Sequence, residues 1–144
     1  MEIDGLYALA LEASRESYSP YSRFRVGAAI LCADGGIFTG TNVENRSFGL
    51  TVCAERNAIA AAIAEGKRDF AMIVVATPDA EYPVSPCGAC RQVLSEFFPA
   101  GAAVVFGSSA KDLVVTTVGK LFPYDALHEL SERPPRSAAV PTAQ

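Results

Sequence analysis

Residues 71–77 read AMIVVAT, an uninterrupted apolar run near the middle of the chain. A strand with one face in water alternates apolar and polar residues, whereas a continuous run like this one predicts a strand covered on both faces. A helical segment rich in Ala and Ile (53–65) precedes the run, and a second helical segment (89–98) follows it. A covered strand between two helices is typical of an α/β protein with a central sheet.

The segments on either side extend this pattern to the whole chain. Apolar residues at helical spacing predict an amphipathic first helix, and the turn signal Asp34-Gly35-Gly36 between two β-rich runs predicts a hairpin. The predicted elements are, in chain order, a helix (3–16), two strands (25–32, 37–41), a helix (53–65), a strand (71–77), a helix (89–98), two strands (103–106, 113–117) and a short helix (124–130). This order predicts an α/β fold, a three-layer α/β/α sandwich around one mixed β-sheet. We expect one domain over residues 1–130 and a disordered tail over residues 131–144, which are rich in Pro, Ser and Ala.

Composition and charge narrow the class of partner. Of the 144 residues, 50% are hydrophobic and only 19% are charged, against about 25% charged in average globular proteins, which predicts an oligomer that covers apolar surface. The net charge of −4, from 12 basic and 16 acidic residues without basic clusters, disfavours nucleic acid and anionic membranes as partners. The acidic N-terminus differs from a signal peptide, and no apolar run reaches the roughly 20 residues that cross a bilayer. We therefore expect a cytoplasmic protein with reduced cysteines.

Three of the four cysteines form a pattern typical of a metal site. Cys53-Ala54-Glu55 begins one predicted helix, and Pro86-Cys87-Gly88-Ala89-Cys90 begins the next. Thiolates are favoured at helix N-termini, where free amides and the helix dipole attract negative charge. Because Cys87 and Cys90 are one helical turn apart, both can bind one ion, and Cys53 completes the site from the other helix. The pattern predicts one Zn²⁺ per subunit, bound by Cys53, Cys87 and Cys90.

The number of ligands indicates the kind of zinc site. Three protein ligands and an open position are typical of catalytic zinc, whereas structural zinc has four ligands. Two other residues are candidates for a fourth ligand: Cys32, expected in the core of a strand, and His128, expected on the surface. Glu55 has the chemistry of a general base and then a general acid beside such a metal. Its simpler interpretation is a first-turn carboxylate that complements the helix dipole.

Two alternatives to catalytic zinc fit part of the pattern. The Cys87–Cys90 spacing also suits a redox dithiol, which leaves Cys53 and Glu55 unexplained. A non-catalytic zinc protein would need a fourth ligand and would not need Glu55. Three thiolates around Zn²⁺ leave one excess negative charge, so we expect a cation near the sulfurs. Arg56 is the favoured candidate and Arg91 the second, with a solvated helix arginine as the alternative for each.

The two cysteine motifs match the zinc deaminase signature in its three-cysteine form. Further segments carry the resemblance: YSPYSRFRVGAA (18–29), GTNVEN (40–45), TVCAER (51–56) and SPCGACRQ (85–92). With them the chain resembles the small homotetrameric cytidine deaminases over most of residues 1–127. The resemblance implies zinc-dependent hydrolysis of cytidine and 2′-deoxycytidine to the uridines and ammonia, in pyrimidine salvage. It also implies a homotetramer with shared active sites.

The resemblance further assigns roles outside the metal motif. It implies that Glu55 moves a proton to N3 of the ring and then to ammonia, and that Asn42 and Glu44 bind the ribose hydroxyls. It also places five groups at the substrate: Phe24, Asn45, Phe48, the Ala54 amide and the Ser85 carbonyl.

The chain departs from the family pattern at three positions. Phe48 stands where many relatives have Tyr, and Arg46 replaces a small residue. Ala126 stands at an aromatic position, with Phe122 and Tyr124 as candidate substitutes. A modified nucleoside such as blasticidin S is the alternative substrate, and nucleic-acid editing is disfavoured by the negative charge.

Overall fold

The computed structural model describes residues 2–126 and 128–131. The helices are α1 (Ile3–Ser14), α2 (Ala54–Ala64), α3 (Gly88–Phe97), α4 (Val118–Leu121) and α5 (His128–Ser131), with one 3₁₀ turn at Phe48–Leu50. The strands are β1 (Gly27–Cys32), β2 (Ile37–Thr41), β3 (Phe70–Ala76), β4 (Ala103–Gly107) and β5 (Val114–Thr117). These elements match the predicted order except near the C-terminal end.

The five strands form one mixed sheet in the order β2-β1-β3-β4-β5. β3 lies at the centre, antiparallel to β1 and parallel to β4, and the two outer pairs are antiparallel. β3 matches the run that predicted a covered strand. Ile73 and Val75 pack on one side of it with residues of α2 and α3, whereas Val74 and Ala76 pack on the other side with α1. The three-layer α/β/α sandwich is thereby confirmed.

Two glycines allow helices to lie close against the sheet. A Cβ on Gly40 of β2 would lie 2.3 Å from the amide nitrogen of Ala58 in α2. On the opposite face, a Cβ on Gly27 of β1 would lie 1.8 Å from the carbonyl oxygen of Ala10 in α1. Real Cβ atoms essentially never approach within 3.0 Å, so these two positions set how near each helix layer lies to the sheet.

The prediction of a helix over residues 124–130 is only partly right. Residues 124–126 are irregular, and α5 covers His128–Ser131. A short helix, α4, was missed at Val118–Leu121, where the Thr117 side chain accepts a hydrogen bond from the Lys120 amide. This N-cap starts a helix directly after β5, and Pro123 follows its end, where proline cannot continue a helix.

The proposed boundary between domain and tail lies at the edge of the described residues. α5 crosses it, and residues 132–144 of the predicted disordered tail lie outside the described part of the chain. Within the described residues, none of the helices has the length and apolar character that a bilayer span requires.

Candidate metal centre and active site

The three predicted ligands lie at the N-termini of α2 and α3. Cys53 is the N-cap residue of α2, and Cys87 is the N-cap residue of α3. Cys90 lies in the first turn of α3 and is fully buried, whereas Cys87 is exposed. Both helix dipoles therefore point their positive ends at the sulfurs, which favours thiolates there.

The spacing of the sulfurs fits a zinc ion. The Sγ atoms of Cys53, Cys87 and Cys90 all lie within 4.8 Å of one another, and those of Cys53 and Cys87 are 3.7 Å apart. Tetrahedral zinc with Zn–S bonds of about 2.3 Å places two sulfurs about 3.8 Å apart. Within the described part of the chain, the cluster contains these three cysteines and no further His, Cys, Asp or Glu. This donor set leaves one position of a tetrahedral ion open.

Of the two remaining candidate ligands, Cys32 does not extend the cluster. Cys32 is buried in β1, where burial raises the pKa of its thiol, as expected for a core cysteine. The side chain of His128 lies outside what the structure describes.

Arg56, the favoured candidate cation, lies against the sulfur of Cys53. Its Nη2 donates a hydrogen bond to Cys53 Sγ at 3.4 Å. Its Nε is buried and has no hydrogen-bond partner within the described residues. A hydrogen bond from the Cys90 thiol, together with the Arg56 guanidinium, lowers the pKa of Cys53 to about 5. The hydrogen bond to Cys53 also raises the pKa of Arg56, so both groups favour their charged forms.

Arg91, the second candidate cation, uses its guanidinium elsewhere. It donates to the Pro86 carbonyl at 2.8 Å, to the Leu121 carbonyl at 3.1 Å and to Ser85 Oγ at 2.9 Å. Arg91 therefore ties the loop before Cys87 to the end of α4. Side chains one position apart on a helix point in different directions, which is why Arg91 does not share the face of Cys90.

Glu55 is a buried carboxyl in the first turn of α2. It is only 4% exposed, and removal from water raises its pKa to about 7. A carboxyl that titrates near neutral pH can both accept and donate a proton at low cost, which a general acid–base group requires. Glu55 also lies in the first turn of α2, where a carboxylate complements the helix dipole, so the simpler interpretation stays open beside the acid–base one.

A cavity of about 170 Å³ opens beside Glu55 and the sulfurs. Its lining includes six predicted residues and five that the sequence analysis missed. The predicted ones are Phe24, Asn42, Cys53, Glu55, Ser85 and Cys87, and the missed ones are Val26, Thr51, Val75, Thr77 and Val84. The position of Val75 and Thr77 at the carboxyl end of the central strand was a usable signal, since α/β proteins place ligands at such ends. The walls are mostly apolar, and the cavity is smaller than the roughly 300 Å³ of common ligand sites, as suits one flat ring.

Asn42 is placed at the cavity by a hydrogen-bond network of its own. Its Oδ1 accepts from Ser17 Oγ and from the Val26 amide, and its Nδ2 donates to the Phe24 carbonyl at 2.8 Å. Asn42 therefore shapes the wall that carries Phe24, in addition to the sugar contact implied by the resemblance.

The other predicted substrate residues lie outside the cavity lining. Glu44 Oε1 accepts hydrogen bonds from the amides of Tyr21 and Ser22. Phe48 is 74% exposed, and its ring meets that of Tyr21 edge-on at 5.6 Å. Asn45 and Ala54 are the other predicted substrate residues outside the lining, as are the predicted ligand Cys90 and the predicted cation Arg56. Phe122 and Tyr124, the two candidate substitutes for the aromatic residue that relatives have at position 126, line a separate groove together with Ala126.

The fold and the site together define a class: α/β proteins with a three-thiolate, zinc-type centre and a buried carboxyl for proton transfer. A family model described as the cytidine and deoxycytidylate deaminase zinc-binding region matches residues 2–108. The chain belongs to this family, and the predicted resemblance is confirmed.

Individual relatives agree with this assignment. A cytidine deaminase of Halalkalibacterium halodurans is 49% identical over 114 residues, which are 79% of this chain and 86% of the relative. A crystal structure of cytidine deaminase from Burkholderia pseudomallei matches with a TM-score of 0.84 at 43% identity, covering 87% of this chain and 99% of that one. A blasticidin-S deaminase of Bacillus cereus is 37% identical over 109 residues, 71% of this chain and 76% of the relative.

Proposed function

We propose that this protein hydrolyses cytidine and 2′-deoxycytidine to uridine and 2′-deoxyuridine, with release of ammonia. One observation carries the proposal: a buried carboxyl and three clustered thiols converge on an apolar cavity sized for one ring. The family membership and the relatives named cytidine deaminase support the same substrate class.

In this proposal Cys53, Cys87 and Cys90 bind the zinc ion, and Arg56 offsets their negative charge through its hydrogen bond to Cys53. Zinc bound in this way supplies a Lewis-acidic position at which water ionises near neutral pH. The chain itself excludes bulk water from Glu55 through the apolar walls of the cavity.

Glu55 carries the proton transfers of the proposed reaction. Water adds to C4 of the cytosine ring, and Glu55 takes the proton that the water loses. It delivers that proton to N3 and then moves the remaining hydroxyl proton to the leaving amine. The C4–N bond breaks as ammonia departs, and the carbonyl of the uracil ring forms. Its pKa of about 7 lets Glu55 act in both directions.

We assign the substrate contacts as follows. Phe24 contacts the face of the base, and the Ala54 amide and Ser85 carbonyl contact its polar edge. Asn42, Glu44 and Asn45 bind the sugar hydroxyls, and Phe48 extends the apolar surface at the mouth. Phe24 and Ser85 line the cavity, which supports the base contacts, and Asn42 lines it as well, which supports its contact with the sugar.

Replacement of Glu55 by Gln tests the proposal. Following the ultraviolet loss of cytidine, we expect Glu55→Gln to lose about 10²- to 10⁴-fold in turnover, the usual contribution of a general base, while retaining its zinc. Glu65→Gln is the matched control, because Glu65 is the exposed C-cap residue of the same helix. Equal turnover in wild type and Glu55→Gln would overturn the role of Glu55, and no turnover by the wild type on any cytosine nucleoside would favour the non-catalytic zinc protein instead.

Blasticidin S is the second candidate substrate, favoured by the Bacillus cereus relative. A panel of cytidine, deoxycytidine, cytosine, CMP and blasticidin S separates the two. We expect the two nucleosides to be turned over fastest, because the site offers an amide and a carboxylate to sugar hydroxyls.

We also propose an oligomeric state and a cellular compartment for the protein. We infer a homotetramer with shared active sites, acting in the cytoplasm in pyrimidine salvage on free nucleosides, with no nucleic-acid or membrane partner. The exposed side chains of Tyr21, Phe48 and Leu50 near the cavity wall support an interface there. Light scattering coupled to gel filtration tests the subunit count.

A further inference from the structure

The segment between α1 and β1 forms one wall of the cavity without regular structure of its own. We call residues 17–26 the pocket loop; it carries Phe24 and Val26 of the cavity lining. Side chains from distant segments hold its backbone. Asn42 binds the Phe24 carbonyl and the Val26 amide, Glu44 binds the Tyr21 and Ser22 amides, and Asp79 binds the Arg25 amide. The Thr41 hydroxyl also donates to the Val26 carbonyl, and main-chain hydrogen bonds join Tyr18 to Asn42 and Glu44. The position of this wall therefore depends on these side chains together with the main-chain contacts.

Asp79 makes three hydrogen bonds to one residue of the loop, Arg25. Its Oδ2 accepts from the Arg25 amide at 2.9 Å and from Arg25 Nε at 3.0 Å, and its Oδ1 accepts from Arg25 Nη2 at 2.6 Å. The guanidinium and the carboxylate thus pair side by side, and the backbone of the loop is bound by the same carboxylate. Two parallel hydrogen bonds restrict the orientation of the Arg25 guanidinium relative to the Asp79 carboxylate as well as the distance between them.

The ion pair joins two segments that both contribute to the cavity lining. Arg25 lies between Phe24 and Val26, which line one wall. Asp79 lies two residues after Thr77 and in the same irregular segment, 77–86, as Val84 and Ser85, and these three residues also line the cavity. The β1–β3 pairing ends at Gly27 and Ala76, and the Arg25–Asp79 contact continues the connection between the two segments beyond that end.

We propose that Asp79 is a positioning residue for substrate binding: its pairing with Arg25 holds the pocket loop against segment 77–86 and so sets the width of the cavity at Phe24. The pair contributes little to global stability, because the Arg25 and Asp79 side chains are 47% and 25% exposed. The pair instead controls the position of Phe24 relative to segment 77–86. The kinetic part of this inference rests on the proposed function.

The kinetic test compares Asp79→Ala with a matched ion pair elsewhere. We expect Asp79→Ala to raise KM for cytidine about tenfold, with kcat and zinc content unchanged, because uniform binding of the base is weakened and the proton-transfer groups are untouched. Asp34→Ala is the control: it removes the Lys67–Asp34 pair, also 2.6 Å long, from the β1–β2 hairpin. We expect Asp34→Ala to leave KM unchanged.

Two further variants separate positioning from charge. Arg25→Lys keeps the positive charge without the planar fork, and we expect it to recover only part of the KM increase caused by Arg25→Ala. In a double-mutant cycle, Arg25→Ala combined with Asp79→Ala raises KM no further than either change alone. An additive cycle, or a fall in kcat and zinc content together, overturns the positioning role.

Hydrogen exchange tests the same inference without any substrate. The Arg25 amide donates to Asp79, so we expect faster exchange over residues 23–26 in Asp79→Ala and unchanged exchange there in Asp34→Ala. Unchanged exchange in both variants overturns the inference. If wild-type protein turned over no cytosine nucleoside, the proposed function would fail while the exchange result would still decide whether Asp79 positions the loop.

Discussion

Gly40 controls how closely α2 lies against the sheet, and α2 begins with the groups proposed to carry the chemistry. An alanine Cβ at position 40 would lie 2.3 Å from the Ala58 amide nitrogen and 2.6 Å from the Ala54 carbonyl oxygen. Ordinary contact begins at 3.4 Å, so Gly40→Ala must move α2 away from β2 by about 1 Å. Both atoms belong to the backbone of a helix, which cannot rotate out of the way as a side chain would.

This displacement has two expected consequences. Overpacking of a well-packed core costs about 1–3 kcal/mol, which lowers the thermal midpoint by roughly 4–12 °C for a chain of this size. Because Ala54 precedes Glu55 directly, the carboxyl moves with the helix. A misplacement of about 1 Å in an active site costs about 10²-fold in turnover. We therefore expect Gly40→Ala to lose about 10²-fold in kcat per folded molecule.

The measurement is kcat on cytidine together with thermal unfolding at a fixed protein concentration. Gly101→Ala is the control, because a Cβ at position 101 has nothing within 4 Å, and it should leave both quantities unchanged. Full kcat in a destabilised Gly40→Ala protein would refute the claim that the packing of α2 on β2 sets the position of Glu55. An unchanged midpoint would refute the close approach itself.

Three more perturbations follow from the structure. Arg56→Gln removes the hydrogen bond to Cys53 Sγ and should lower turnover or zinc retention against a chelator by about 10- to 100-fold, as measured by kinetics and metal analysis. Asp79→Asn should cost no more than about 1 kcal/mol of stability at pH 7, as measured by urea unfolding. Pairing with Arg25 lowers the pKa of Asp79 from its ordinary value of 3.8 to about 2. The stabilisation is therefore present above pH 3.8 and is lost as the pH falls from about 4 to 2. The unfolding free energies of wild type and Asp79→Asn should converge over that range. Leu94→Ala removes a fully buried side chain of α3 and should cost about 2–5 kcal/mol, whereas a loss below 1 kcal/mol would contradict a rigid core at that point.

Elements of the fold with a strong local pattern could be predicted from the sequence. The apolar run of the central strand was sufficient to place it between two helix layers, because only a strand covered on both faces is apolar at every position. The helix over residues 118–121 could not be predicted in this way. It has four residues, begins at a Thr side-chain cap directly after a strand, and so lacks the periodicity that identifies longer helices.

The metal cluster was also accessible from the sequence, because one helical turn determines the relation of Cys87 to Cys90. The contacts of the neighbouring arginine side chains could not be predicted from the sequence. Arg56 lies three residues after Cys53 on the same helix face and bonds its sulfur, whereas Arg91 reaches the Leu121 carbonyl, 30 residues away. Such a partner is brought near only by the packing of α4 on α3.

By itself, the sequence determined the layers of the fold, the cluster of three cysteines with Glu55 beside Cys53 in the chain, and the family. Each of these depends on residue type and short spacing along the chain. Only the tertiary structure decided that Glu55 is buried and that Asp79 binds the pocket loop through Arg25. Removal from water and contacts between segments 54 positions apart arise when helices and loops pack on the sheet, and no local pattern records them.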